Sequence, residues 1–287
     1  MHPLTYNRAM VSHAEVNARR LGRDRLSTLL ALTLTSAALF RFVELPTFSW
    51  GVRRFLGSPL GFTIGGEWLL SLLMMALVAT GTFAFLHEGH RTVERRALLL
   101  GLITPTLTAL AASLVLAHAA SWPLWMGYLA AGGMALGFVL TLTDRAVDPD
   151  AESYPGSRAM LNLLDLFLAF GLYVAILIAQ ERALITAPFV FVLSFVVALD
   201  LLAPTASELA ALLRFAFVIA LIESETAWVL SFWPITPMTA AAMLTGILYL
   251  LSGIAYQELL GKLTRRVLME FVLFALLFAL LILYLRS

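Results

Sequence analysis

The stretch AALLRFAFVIALIESETAWVLSFWP, residues 210–234, decides the fold class of this chain. It is apolar enough and long enough to cross a bilayer, which takes about 20 residues, yet it contains Arg214, Glu223 and Glu225. Ionisable side chains at membrane depth are costly and usually face protein or enclosed water rather than lipid. The stretch therefore predicts a membrane helix, and its three charges indicate where a function should be sought.

The composition of the whole chain agrees with that prediction. Of its 287 residues, 61% are hydrophobic and 13% are charged, and the mean hydropathy is +0.90. Soluble domains are about 45–50% apolar and about 25% charged, so we expect most of the surface to face membrane lipids. A net charge of +1 argues against a nucleic-acid partner. The absence of cysteine excludes disulfides and thiolate metal sites, and we predict no cofactor.

Apolar segments separated by prolines and short polar turns predict an all-α, polytopic bundle of about nine transmembrane helices. We expect one membrane domain over residues 26–287, preceded by a basic cytoplasmic segment, 1–25. Within it, the outer loop 46–65 is expected to lie at the interface, and the longest inner loop is 144–158. The predicted segments are 26–45, 66–86, 97–118, 123–143, 159–180, 185–203, 208–231, 237–257 and 267–285.

The orientation follows from where the basic residues fall. With the N-terminus inside, thirteen of the lysines and arginines outside the segments lie on the inner side and four on the outer side. Cytoplasmic loops carry such an excess, so the sequence predicts an N-in, C-out topology in a cytoplasmic (inner) membrane. All six tryptophans then fall at outer segment ends, where their amphipathic rings favour the headgroup level.

The charges of the seventh segment predict a polar cluster. At 100° per residue, Arg214 and Glu225 share one helix face and Glu223 points nearly opposite, so neighbouring helices must serve them. The nearest candidate partner is Arg41 of the first segment, because a buried arginine–glutamate pair keeps both side chains at depth. The predicted ligand-binding or interhelical cluster in the outer half of the bundle comprises Arg41, Glu44, His118, Arg214, Glu223 and Glu225.

A second group of polar residues falls at the inner segment ends. It contains Asp165, for which Arg158 or Arg214 is the expected partner. We interpret the group as interfacial charges near water. Its members are Asn162, Asp165, Asp200, Glu208, Arg214 and Glu270.

The acidic inner loop is the one feature that suggests an enzyme. Asp144, Asp148 and Asp150 follow a DxxxDxD spacing, a pattern similar to the aspartates with which intramembrane prenyltransferases bind magnesium pyrophosphate. The paired motifs of those enzymes are absent from the second-to-third and sixth-to-seventh loops. We therefore keep the three aspartates only as weak metal candidates and favour a solvated turn.

The segment layout, and the run IESETAWVLSFWPITP within residues 221–237 in particular, resembles an uncharacterised bacterial family of multi-pass membrane proteins. That resemblance implies no activity. Since no catalytic motif is present, we predict a scaffold or accessory subunit with protein partners in the membrane. A transporter or lipid-binding carrier that uses the outer polar cluster is the first alternative, and an enzyme acting on lipid-linked substrates through the acidic loop is the second.

Overall fold

The computed structural model describes residues 24–39, 41–42, 48–55, 58–64, 66–90, 93–179, 183–205 and 208–286. Helices dominate it, with one two-stranded antiparallel hairpin. A short 3-10 turn, Ala203–Thr205, extends helix α7. The elements in chain order are α1 (24–39), β1 (Phe48–Phe55), β2 (Ser58–Ile64), α2 (Gly66–Gly89), α3 (Arg95–Leu100), α4 (Ile103–Ala117), α5 (Trp122–Arg145), α6 (Tyr154–Ile178), α7 (Ala183–Leu202), α8 (Leu209–Leu230), α9 (Pro237–Leu259) and α10 (Arg265–Arg286).

Each predicted apolar segment coincides with a helix, which confirms the helical prediction. The third segment is broken at Gly101–Leu102 into α3 and α4. Pro105 explains the break, because proline cannot donate to a preceding turn but is tolerated in the first turn of a helix, here that of α4.

Six of the described helical stretches are long and apolar enough to span a membrane, which indicates a membrane protein. Helix α8 is not among them, because Arg214, Glu223 and Glu225 all fall within its 22 residues. The count of nine spanning helices is therefore not supported, although α8 has the length to cross a bilayer. The six are Trp68–Gly89, Arg95–Ala117, Trp122–Arg145, Tyr154–Ile178, Ala183–Thr205 and Pro237–Leu259.

The loop predicted at 46–65 contains the β1–β2 hairpin, which the sequence analysis did not anticipate. Phe48 pairs with Ile64 and Gly51 with Gly61, and the register shifts between Val52 and Phe55. Its interfacial position remains a prediction.

Two compact units make up the chain: unit 1, Met1–Tyr154, and unit 2, Pro155–Ser287. Three layers of buried side chains form the core of unit 1. Helix α2 contributes to every layer. It is joined in each by α1 or α3, and by α5 or the residues just after α5. Along successive helices the layers follow in opposite order, so the helices alternate in direction as the sequence predicts. The layers are Ala37, Leu70, Met74, Leu116, Ala119 and Trp125; then Leu29, Val78, Ala109, Leu136 and Leu140; then Leu86, Leu98 and Val147.

The two ends of unit 1 differ in chemistry. At the end of the first layer, Trp122 stacks on Trp125 with ring centroids 5.1 Å apart. At the opposite end Arg25 forms a salt bridge with Glu88, and His90 Nδ1 lies 3.7 Å from Asp144 Oδ1. Within this unit, an aromatic end therefore faces away from a charged end.

Helices α7 and α8 make the most extensive helix–helix contact within unit 2. Small residues permit it: Ala198 of α7 and Ala216, Ala220 and Ala227 of α8 are 0% exposed. Small residues of this kind let two helix backbones approach closely, as is typical of helix pairs in membranes.

Helix α10 is attached to α9 by a short aromatic zipper. The ring of Phe278 occupies the space beside Gly246, and a Cβ atom at Gly253 would lie 2.6 Å from the Phe271 ring. Between these contacts, Phe274 packs on Tyr249 with ring centroids 5.4 Å apart. The i, i+3, i+7 spacing on both helices places each set on one face.

Candidate functional site

Helix α8 has one buried stripe, and Glu223 lies within it. The carboxyl-bearing side chain is 0% exposed, whereas Arg214 and Glu225 are exposed. The predicted opposition of Glu223 to the other two charges is therefore confirmed, and it follows from the 100° rotation per residue. The buried positions of the stripe are Leu212, Ala216, Ile219, Ala220, Glu223, Ala227 and Leu230.

A short hydrogen-bond chain between α6 and α7 lies near Glu223. The hydroxyls of Tyr173 and Ser194 are 2.6 Å apart, and Ser194 donates to the carbonyl of Val190 over 2.7 Å. A serine hydroxyl carries a single proton, so Tyr173 must be the donor to Ser194. Tyr173 and Ser194 are both 0% exposed. The phenolic oxygen of Tyr173 thus has its proton committed and its lone pairs available.

Glu223 interacts electrostatically with the hydroxyl of Tyr173. Among the described residues, neither of its carboxyl oxygens has a hydrogen-bond partner, and no positive side chain acts on it. Most buried polar side chains in folded proteins do find a partner. We call Glu223, Tyr173 and Ser194 the Glu223 cluster.

The adjacent residue, Ser224, ties α8 to α7. Its hydroxyl donates to the carbonyl of Ala187 over 2.9 Å, one residue before Pro188, which lies inside α7. Proline has no N–H to give to the carbonyl four residues earlier, so this part of α7 lacks a backbone hydrogen bond. The sequence analysis missed Pro188 as an interruption of the sixth segment.

Polar residues follow one face of α6 toward the cluster. Arg158, Asn162, Asp165 and Tyr173 fall at helical spacing, within an arc of about 80° and over about 22 Å of helix. We call these four residues the α6 polar stripe. Arg158 donates to Asp200 Oδ1 over 2.6 Å and also to the Asp200 carbonyl oxygen.

These positions correct the interpretation of the second polar group. Asp165 and Asp200 are both 0% exposed, so they are not interfacial charges near water. Arg158 pairs with Asp200, a partner that the sequence analysis did not predict. Arg214 is exposed and donates to Ala210 of its own helix over 3.2 Å.

The remaining residues of the predicted cluster lie in unit 1 or outside the described part of the chain. Arg41 follows α1 and is exposed. His118 ends α4, is exposed, and its Nδ1 lies 2.8 Å from the Leu114 carbonyl. Both belong to the aromatic end of unit 1. Glu44 lies outside the described residues, and a pairing of Arg41 with Glu223 or Glu225 stays a prediction.

The three aspartates kept as metal candidates do not form a ligand cluster. Asp148 Oδ1 accepts a hydrogen bond from the Asp150 backbone over 3.1 Å, which is a turn interaction typical of aspartate. Asp144 faces His90. Nowhere in the described residues do three histidine or carboxylate side chains come close enough to hold a metal.

Unit 1 contains a small cavity among α1, α2, α4 and α5. Its volume is about 20 Å³ and its walls are mainly apolar, with Leu34, Met74, Leu116 and Leu136 among them. A cavity of that size holds about one water molecule, so it does not form a binding site for a larger ligand.

The search against family models matches residues 48–285 to a protein family of unknown function, DUF5656. The chain belongs to this family. The prediction of an uncharacterised family is therefore confirmed, and the match extends over residues of both units. No curated protein and no solved structure matches the chain.

Proposed function

We propose that the protein is a membrane carrier whose working site is the Glu223 cluster of unit 2. The observation that supports this is a carboxyl group that is 0% exposed and has no hydrogen-bond partner among the described residues. Burying such a group costs several kcal/mol when it is charged. An ionisable residue at membrane depth is a functional hypothesis by default, and transporters and pumps use such carboxylates as ion and proton sites.

A purely structural role accounts less well for Glu223 than for its neighbours. The Arg158–Asp200 ion pair and the Tyr173–Ser194 hydrogen bond each link α6 to α7. The rest of the α8 stripe is alanine, leucine and isoleucine, so an apolar side chain would suit the position better if packing alone mattered. The free-energy cost of burying a carboxyl group at Glu223 is explained if that group binds and releases a ligand.

The α6 polar stripe gives the carrier a route. It extends from Arg158, close to the start of α6, to Tyr173 beside Glu223. Pro188 offers a weak point in α7, since interrupted helices near a site allow the backbone to move around it. Opening of α7 from α8 there would break the bond from Ser224 to Ala187 and admit water to the cluster.

Charge movement in proteoliposomes tests the carrier. Purified protein adsorbed on a solid-supported membrane and exposed to a pH or Na⁺ step is expected to give a transient current. Glu223→Gln should reduce the current to that of empty liposomes, because the exchangeable charge is removed. Glu225→Gln, two residues away on the exposed side of the same helix, is the matched control and should retain it. Equal currents from the two variants would refute the proposal.

The accessory-subunit role is the second candidate. It is favoured by the exposed tryptophans Trp68 and Trp122 at one end of unit 1 and Trp228 at the end of α8, since tryptophan is enriched where proteins meet partners or headgroups. Native mass spectrometry after extraction in mild detergent separates the two roles. Stable co-purifying subunits would favour the accessory role, and a lone chain would favour the carrier.

The proposed location is the bacterial cytoplasmic membrane, with α1 entering from the cytoplasm and the C-terminus outside. The charged end of unit 1, with Arg25, Arg95 and Arg145, supports this orientation through the excess of basic residues on cytoplasmic sides. Membrane lipids are the proposed surroundings of the exposed apolar helix faces.

A further inference from the structure

We infer that the ligand of the Glu223 cluster is a proton, bound to the Glu223 carboxyl. The inference rests on the proposed carrier function and specifies its coupling ion. It follows from three features of the described residues: the burial of Glu223, the committed hydroxyl chain of its neighbours, and the charges that surround it.

The first feature is the balance of charge. A carboxylate buried in a low-dielectric interior needs a cation, or it takes up a proton and becomes neutral. The nearest arginine on the α6 polar stripe, Arg158, is engaged with Asp200. On α8 itself the residues one turn away are Ile219, Ala220 and Ala227, which carry no charge. A proton is the cation that restores neutrality here.

The second feature is the small number of oxygens. A metal cation such as Na⁺ or Ca²⁺ needs about six oxygen ligands. The cluster offers the two carboxyl oxygens of Glu223 and the hydroxyl oxygen of Tyr173, while the Ser194 oxygen already accepts from Tyr173 and donates to Val190. A proton needs no such set, because it forms a covalent O–H bond with a single carboxyl oxygen of Glu223.

The third feature is the set of titratable groups on the helices packed around the site. From α6 these are Tyr173 and, two turns away, Asp165; from α7 the nearest is Asp200, which is paired with Arg158. Helix α9 contributes Tyr249, which packs on Phe274 of α10. Of these groups, Tyr173 is the one that interacts electrostatically with Glu223, and it carries no positive charge.

The exchange step is balanced without a co-reactant. Loss of the proton converts the carboxylic acid to a carboxylate, and water that enters between α7 and α8 accepts the proton as hydronium. Reprotonation reverses the step. Tyr173 takes no part in the step, since its own proton stays on the bond to Ser194.

Infrared difference spectroscopy of the full chain in lipid tests the inference. The wild type should show the carbonyl stretching band of a protonated carboxylic acid, shifted in D₂O, that disappears when the pH is raised. Glu223→Gln should lack this band and Glu225→Gln should keep it. Tyr173→Phe should keep the band, because the proton sits on Glu223 and neither of its carboxyl oxygens is hydrogen-bonded to Tyr173; loss of the band in this variant would contradict the assignment to Glu223.

The outcomes separate this inference from the carrier proposal. Absence of the band at every pH would overturn the assignment of a proton as the ligand. If charge movement still depended on Glu223, another cation would then be the ligand. A band without any charge movement would support the bound proton and contradict the carrier function. A folded Glu223→Gln variant is checked by an unchanged circular dichroism spectrum, and Glu223→Asp serves as a second variant that retains the acid.

Discussion

Replacing Asp200 with alanine is expected to lower the free energy of unfolding by about 3–5 kcal/mol, the cost of breaking a buried ion pair from one side. Arg158 Nη2 lies 2.6 Å from Asp200 Oδ1, and the two side chains are only 11% and 1% exposed. The substitution removes the carboxylate opposite a guanidinium that lies largely buried inside unit 2. Unfolding titrations with a denaturing detergent in mixed micelles would measure the loss.

A matched control is available on the last helix. Arg266 and Glu270 form an i, i+4 pair at 3.5 Å whose side chains are 91% and 67% exposed. Glu270→Ala should change the free energy of unfolding by less than about 1 kcal/mol, because exposed pairs are screened by solvent. If Asp200→Ala costs no more than this control, the buried pair does not stabilise unit 2.

Removing both charges of the Arg158–Asp200 pair should recover the free energy of unfolding that Asp200→Ala loses. The double variant Arg158→Met, Asp200→Leu replaces the pair with apolar side chains of similar length, and such replacements are often neutral or stabilising. We expect it to unfold at nearly the same detergent concentration as the wild type. A double variant as unstable as Asp200→Ala would mean that the pair contributes specific hydrogen bonds that packing does not replace.

Introducing leucine at Gly253 or Gly246 is expected to detach α10 from α9. The Phe271 ring lies 2.6 Å from where a Cβ at Gly253 would stand, and the Phe278 ring overlaps the corresponding position at Gly246. Overpacking of this kind costs about 1–3 kcal/mol per site. The large side chains of α10 that point away from α9 are exposed, such as Leu273 at 58% and Leu277 at 58%, so little else within unit 2 holds the helix.

The control for the glycine variants is Gly171 of α6, beside which nothing lies within 4 Å of an added Cβ. Gly171→Leu should leave the unfolding midpoint unchanged, while each α9 variant should lower it and increase cleavage by protease in the α9–α10 turn. Compensation gives a stricter check. Phe271→Ala should restore most of the stability lost in Gly253→Leu, because it vacates the space that the new side chain needs.

Local features of the sequence were enough to predict the helices and to separate the two faces of α8. Hydrophobicity over about 20 residues marks a membrane helix, and a rotation of 100° per residue separates Glu223 from Arg214 and Glu225 before any neighbour is known. The alternating helix directions of unit 1 were also predicted from the order of the apolar segments and their short turns. By contrast, the β1–β2 hairpin was missed because glycines and apolar residues in a short run fit several backbone shapes.

The residues of the α6 polar stripe had a sequence signal that was only partly used. Asn162 and Asp165 were noted, yet they were assigned to the water interface because they lie near the start of a segment. Their spacing with Arg158 and Tyr173 on one face of α6 indicates burial against other helices. Ser194 gave no such signal, since a lone serine in an apolar helix is common and satisfies itself on its own backbone.

The sequence by itself determined which stretches are helical and which face of α8 carries Glu223, and it indicated a membrane protein, because each of these depends on residues close together along the chain. Only the tertiary structure decided that Arg158 meets Asp200, that Tyr173 meets Ser194 beside Glu223, and that two phenylalanines of α10 enter two glycine sites of α9. These partners depend on the depth and rotation of separate helices, which packing of many side chains sets together.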